Sequence, residues 1–123
     1  MAKALDNAAL DAALAKIATS THLTFCSTQP ANYAAISGVA LAAATLTAGD
    51  GNGDYVIADD TSGRKLTVGA QTGMTPSANG TITYAVLDDG TTLLAATTVT
   101  SQAVTTSQTW NSPAFKVSIA DPT

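Results

Sequence analysis

The sequence predicts a mainly β domain, an antiparallel β-sandwich or small barrel, with one α-helix at the N-terminus. In the C-terminal half apolar residues alternate with polar ones, as in Ile82, Tyr84 and Val86 or Phe115, Val117 and Ile119. A period of two puts such residues on one face of a strand. Turn signals recur between these runs, at 50–54, 59–63, Asn79-Gly80 and 88–90. A helical period is clear only near the N-terminus. Short strands divided by regular turns, with little helix between them, suit antiparallel sheets.

The helix is expected over residues 6–19. Leu10, Ala13, Leu14 and Ile17 recur at helical spacing, with Ala9 beside them and Asp11 and Lys16 toward the other side. Asp6 is the expected N-cap, its carboxylate accepting from an orphan N–H of the first turn. Thr19-Ser20-Thr21 ends the helix, because β-branched and hydroxyl residues favour leaving it. The apolar stripe is a docking face, either for the chain's own sheet or for a neighbouring subunit.

Beyond the helix the period changes to two. Residues 23–27 read as a short strand closed by Gln29-Pro30, and 31–36 as a helical turn or a loop. The Ala-rich run 38–46 fits strand or helix. A turn at 50–54 precedes a strand at 55–58, and a turn at 59–63 precedes a strand at 65–70 with Leu66, Val68 and Ala70 inward. Asn79-Gly80 is a tight-turn signal, both residues tolerating positive φ. It leads into the strand carrying Ile82, Tyr84 and Val86. Residues 93–100 form a strand with Leu93, Ala95, Thr97 and Val99 on one face, and Pro113 marks the entry of the last strand. The whole is a single domain, 1–123, with a helical segment at 1–20 and a β domain at 21–123; there is no internal repeat.

Composition narrows the function. The chain is 46% hydrophobic, but Ala supplies much of that and only 5% is aromatic. Burying Ala gains little at about 25 cal/mol per Å². The core is therefore thin for its length, and packing against a partner would add stability. The net charge is -4, and the five basic residues are scattered except for Arg64-Lys65. Nucleic-acid binders carry a basic stripe, so direct nucleic-acid binding is not expected. No run approaches the roughly 20 apolar residues of a membrane span. The start lacks the pattern of a signal peptide, so synthesis and folding in the cytoplasm are expected.

Catalytic chemistry is sparse. His22 and Cys26 are the only residues of their types. On a strand they share a face but sit about 13 Å apart, too far for a nucleophile–base pair. Cys26, in Leu23-Thr24-Phe25-Cys26, reads as a small buried hydrophobe; the alternatives are a reactive thiol or an intermolecular disulfide. One His and one Cys cannot supply a zinc site. Gly49, Gly51 and Gly53 match neither GxxxxGK[ST] nor GxGxxG. The segment 50–54 resembles the start of a calcium loop, with oxygens at positions one, three and five. Its sixth residue is Tyr55 rather than Gly, and its twelfth is Thr61 rather than Glu, so an acidic turn is expected. Asp59-Asp60 and Asp88-Asp89 point to opposite faces as strand neighbours and make poor acid–base dyads. No enzyme, no cofactor and no metal are expected.

Three stretches carry a resemblance. The first is Ala4-Leu5-Asp6-Asn7-Ala8-Ala9-Leu10-Asp11-Ala12-Ala13-Leu14, leading to Phe25-Cys26-Ser27 and Gln29-Pro30. The second is Ile57-Ala58-Asp59-Asp60-Thr61-Ser62-Gly63-Arg64-Lys65-Leu66-Thr67-Val68. The third is Thr100-Ser101-Gln102-Ala103-Val104-Thr105, with Pro113-Ala114-Phe115-Lys116-Val117 and Asp121-Pro122. Together they resemble a family of short structural proteins from the head modules of tailed bacteriophages. Segments 51–53 and 73–80 depart from the common pattern. The resemblance implies a virion component near the capsid, with no catalytic residue to carry over. A capsid decoration or cement protein is the role best matched in size, its partners being the major capsid protein and copies of itself. Leu10, Leu14, Ile17 and Trp110 are the candidate interface residues. A head–tail connector or tail-tube subunit is the alternative. A receptor- or carbohydrate-binding module is another, for which Tyr33 and Trp110 would be the stacking aromatics.

Overall fold

Residues 7–51, 54–61 and 63–119 are described by a computed structural model. It begins with α1 (Asn7–Ile17); the expected cap, Asp6, lies outside the described residues. Leu10, Leu14 and Ala18 are buried and Ile17 packs beside them, a spacing of four, three and one that follows one helical face. Ala13, expected on that face, is exposed. The helix ends where Thr19 turns its hydroxyl back onto the Lys16 carbonyl, 2.6 Å away, and Ser20 N–H donates to Ile17 at 3.0 Å.

Nine strands follow among the described residues: β1 (His22–Cys26), β2 (Ala40–Thr45), β3 (Tyr55–Asp59), β4 (Arg64–Val68), β5 (Gln71–Met74), β6 (Gly80–Asp88), β7 (Leu93–Val104), β8 (Trp110–Ser112) and β9 (Phe115–Ile119). All pair antiparallel, in a four-stranded sheet ordered β2-β1-β6-β7, a three-stranded sheet β3-β4-β9 and a ribbon β5-β8. The fold is mainly β with its helix at the N-terminus, as the sequence predicts, and sandwich-like. The ambiguous stretch 31–46 resolves into a 3₁₀ turn (Tyr33–Ala35), a one-turn helix α2 (Ile36–Val39) and β2.

One main core lies between the sheets. Leu23 and Phe25 of β1, Ile82, Ala85 and Leu87 of β6, Tyr55 of β3 and Leu66 and Val68 of β4 meet there, with Leu14 of α1. Phe25 joins the three sheets: its ring stands edge-on to Trp110 at 4.7 Å and to Phe115 at 6.4 Å. The Tyr55 hydroxyl donates to the Ser20 carbonyl at 2.8 Å, satisfying a buried polar pair. Arg64 ties α1 to the β3–β4 hairpin, with Nε and Nη2 on the two oxygens of Asp11 at 2.7 and 3.1 Å and Nη1 on Asp59 at 2.7 Å.

Four sequence expectations are corrected. Ile82, Tyr84 and Val86 do not share a face, because the β6–β7 register shifts between Ile82 and Tyr84. Ile82 enters the main core, while Val86 and Tyr84 join Cys26 and Ile36 in a small cluster on the opposite face. Leu93 likewise leaves the face of Ala95, because a second shift follows Leu87. Ala70 is exposed and outside β4, since the chain bends at Gly69, whose N–H donates to the Asp54 carbonyl at 2.8 Å. Asn79-Gly80 is no hairpin turn: neither residue has positive φ, and Gly80 opens β6. A Cβ on Gly80 would lie 3.1 Å from a Leu41 methyl, so close packing is what asks for glycine there.

Candidate functional site

The outer face of the four-stranded sheet follows from the register. His22, Thr24 and Cys26 alternate along β1, with Asp88, Val86 and Tyr84 opposite them on β6. The segment from Tyr33 to Val39 lies over the Cys26 end, where Ile36 packs on Cys26 and Val86. The other end is left open as a groove of about 440 Å³, lined by His22, Thr24, Tyr33, Ser37, Ala43 and Asp88 among others. Tyr33 stands at its rim, 41% exposed. The Asn32 side chain fixes the turn beneath Tyr33 by accepting from Ala35 N–H at 3.0 Å. At the base lies Asp88, its side chain 6% exposed; Oδ1 accepts from Gly90 N–H at 3.0 Å and lies 3.4 Å from His22 Nδ1. The Oδ2 atom takes no hydrogen bond from any described residue. Gly90, at φ 94°, lets the 88–92 turn close beneath it.

A second cleft, of about 310 Å³, lies where β7 passes β8 and β9, lined by Phe25, Val99, Trp110 and Phe115 among others. The chain matches no family model, no curated protein and no solved structure in the comparisons made. The site rests on its own geometry.

The structure separates the residues singled out in the sequence. Leu10 and Leu14 are buried within the chain, and Ile17 packs on the same core. As interface residues Leu10 and Leu14 are therefore corrected, because they are buried in the chain's own core, while Ile17 is only partly covered. Trp110 is half-buried against Phe25 and lines the second cleft on one side and a smaller one beside Gln102 and Gln108 on the other. Cys26 is buried, and desolvation pushes its thiol up to about 11, which suppresses the reactive thiolate. His22 and Cys26 lie at opposite ends of β1.

The acidic groups hold the chain together. Asp54 accepts from Thr47 N–H at 2.6 Å and Asp50 from Ile57 N–H at 2.9 Å, so the calcium-like segment uses both carboxylates on the backbone. Asp59 pairs with Arg64, while Asp60 takes both of its oxygens to Lys116 at 3.1 Å. Hydrogen bonds from Ser118 and Thr61, then Lys116, hold Asp60 down to about 2. Asp89, held below the usual range by Thr91 and Thr92 N–H, organises its turn. Among the described residues no three His, Cys, Asp or Glu side chains gather as a metal would need, and no helix is long and apolar enough to cross a membrane.

The groove went unnoticed in the sequence because its parts come from β1, β2, β6 and the 33–37 segment. The signal that existed was Tyr33, an aromatic outside the regular strands.

Proposed function

We propose that the chain is a non-enzymatic structural subunit of a tailed-bacteriophage head, a decoration protein that binds the assembled capsid shell. The resemblance in sequence supplies the setting. The observation that carries the reading is β7, twelve residues without a charged side chain at the outer edge of the four-stranded sheet. The opposite edge strand, β2, is met at one point by the chain itself, where Ser77 N–H donates to the Leu41 carbonyl at 2.8 Å. Among the described residues no other backbone pairs with the outer side of β7. An open edge free of charge is a template for strand pairing with another chain, and suits a subunit that completes itself by assembly. Among the described residues each aspartate has at least one carboxylate oxygen engaged in the chain's own bonds and the single thiol is packed away, which supports a scaffold role.

Imaging of purified particles with copy counting tests this. A decoration protein occurs in many copies on the shell, and heads lacking it assemble but break earlier on heating. Thr98→Lys on β7 should weaken attachment while leaving the fold intact. Six or twelve copies confined to the portal vertex or tail would replace the reading with that of a connector or tail-tube subunit.

A further inference from the structure

The groove at Tyr33 has a composition that the shell role does not use. Its volume lies in the range of small-molecule sites, roughly 300–1,000 Å³. Its floor includes the small side chains of Ala40 and Ala43. Tyr33 is one of two large apolar side chains exposed among the described residues, the other being Val56. Its ring therefore extends the largely apolar lining of the hollow out to the rim, on a turn already fixed by Asn32.

Asp88 brings the polar half. A carboxylate is acceptor-only when ionised, and this one is nearly buried with Oδ2 unanswered among the described residues. Among the described residues Asp88 Oδ2 is not a sealed orphan, since the groove opens onto Asp88, and a ligand O–H or N–H can take the place of water on it. Around it, Thr24 and Ser37 carry hydroxyls that can donate or accept, and the His22 imidazole offers a further polar atom. A ligand that answers all of these has one apolar face and a rim of groups that both donate and accept.

We infer that this groove binds a neutral pyranose sugar, which stacks its C–H face on Tyr33 and directs a hydroxyl to Asp88. An ammonium ligand could answer Asp88 but gives nothing to the donors around it. A shallow depression on the far side of Tyr33, reaching to Thr91, Thr92 and Leu93, lets a second sugar continue across the ring. The ligand class is therefore a glycan of at least two residues.

Titration of the full chain with glucose, N-acetylglucosamine and the β-linked trimer of each, followed by NMR, tests the inference. At least one sugar should shift the His22, Tyr33 and Ser37 resonances saturably, its trimer binding more tightly than its monomer. Tyr33→Ala should weaken binding about tenfold or more, the loss expected for a stacking contact, while Tyr33→Phe should bind nearly as the parent. Asp88→Asn should weaken it too; should that variant fail to fold, Ser37→Ala, on an exposed position, gives the polar readout. Val56→Ala, at the other exposed apolar residue, should change nothing. The inference is overturned if no sugar gives saturable shifts, if binding survives Tyr33→Ala unchanged, or if choline saturates the groove where the sugars do not.

Discussion

Tyr55 is the residue whose polar atom is most tightly answered inside the core. Its ring is fully buried, and its hydroxyl reaches the Ser20 carbonyl just beyond the end of α1. Tyr55→Phe leaves that carbonyl without its donor, and urea unfolding should show a loss of about 1–2 kcal/mol. Titration at single residues also sets the pH limits of stability. Asp60 releases its proton at about 2 in the folded chain, against about 3.9 for an ordinary aspartate. The folded state therefore favours the ionised form. Its contribution is complete above pH 5 and disappears as pH falls from about 4 toward 2. Asp60→Asn should flatten the acid limb of a melting-temperature profile between those values. At the other limb Cys26, raised to about 11, and Tyr55, raised to about 12 chiefly by burial, favour their neutral forms when folded. Stability should decline as pH climbs above about 9, where an unfolded thiol ionises.

At the scale of elements, α1 is held by packing on one side and by Arg64 on another. The guanidinium takes a two-pronged grip on Asp11 and a single bond to Asp59, a geometry that lysine cannot copy. Arg64→Ala and Arg64→Lys should both speed amide exchange in α1 relative to the β1–β6 ladder, the lysine variant recovering little. The sequence made α1, β1, β3, β4 and β9 legible, because each shows one clean period bounded by turn residues. It misled at β6 and β7. There the register shifts flanking 83 and 94 turn the chain over mid-strand, so residues two apart in sequence face opposite ways. Local alternation cannot reveal a bulge, since the extra residue is defined by the partner strand. The ribbon β5-β8 was illegible for a related reason: Gln71-Thr72-Gly73-Met74 has no strand period, and its pairing depends on a distant stretch around Trp110.

For the whole molecule, stability hangs on a few large side chains among many alanines. Leu14 is fully buried where the helix meets the core. Leu14→Ala should cost about 2–5 kcal/mol in denaturant unfolding, a large share of the 5–15 kcal/mol typical of a domain. The candidate site was legible only in fragments. Tyr33 drew notice as an aromatic outside the strands, but nothing local in Asp88-Asp89-Gly90 says that the first carboxylate faces a groove and the second a turn. That division follows from the pairing of His22 with Asp88. The same pairing bears on how the chain comes off the ribosome. β1 lies at the centre of its sheet, yet its neighbour β6 is translated about sixty residues later, Leu23 meeting Leu87. At roughly 5–20 residues per second, β1 waits several seconds for that partner. During the wait β2 can shield one of its edges, being much nearer in sequence, and the other edge stays bare. A nascent chain stalled before residue 80 would thus display Leu23 and Phe25 on a strand with one edge unpaired, and would be a substrate for chaperones until β6 emerges.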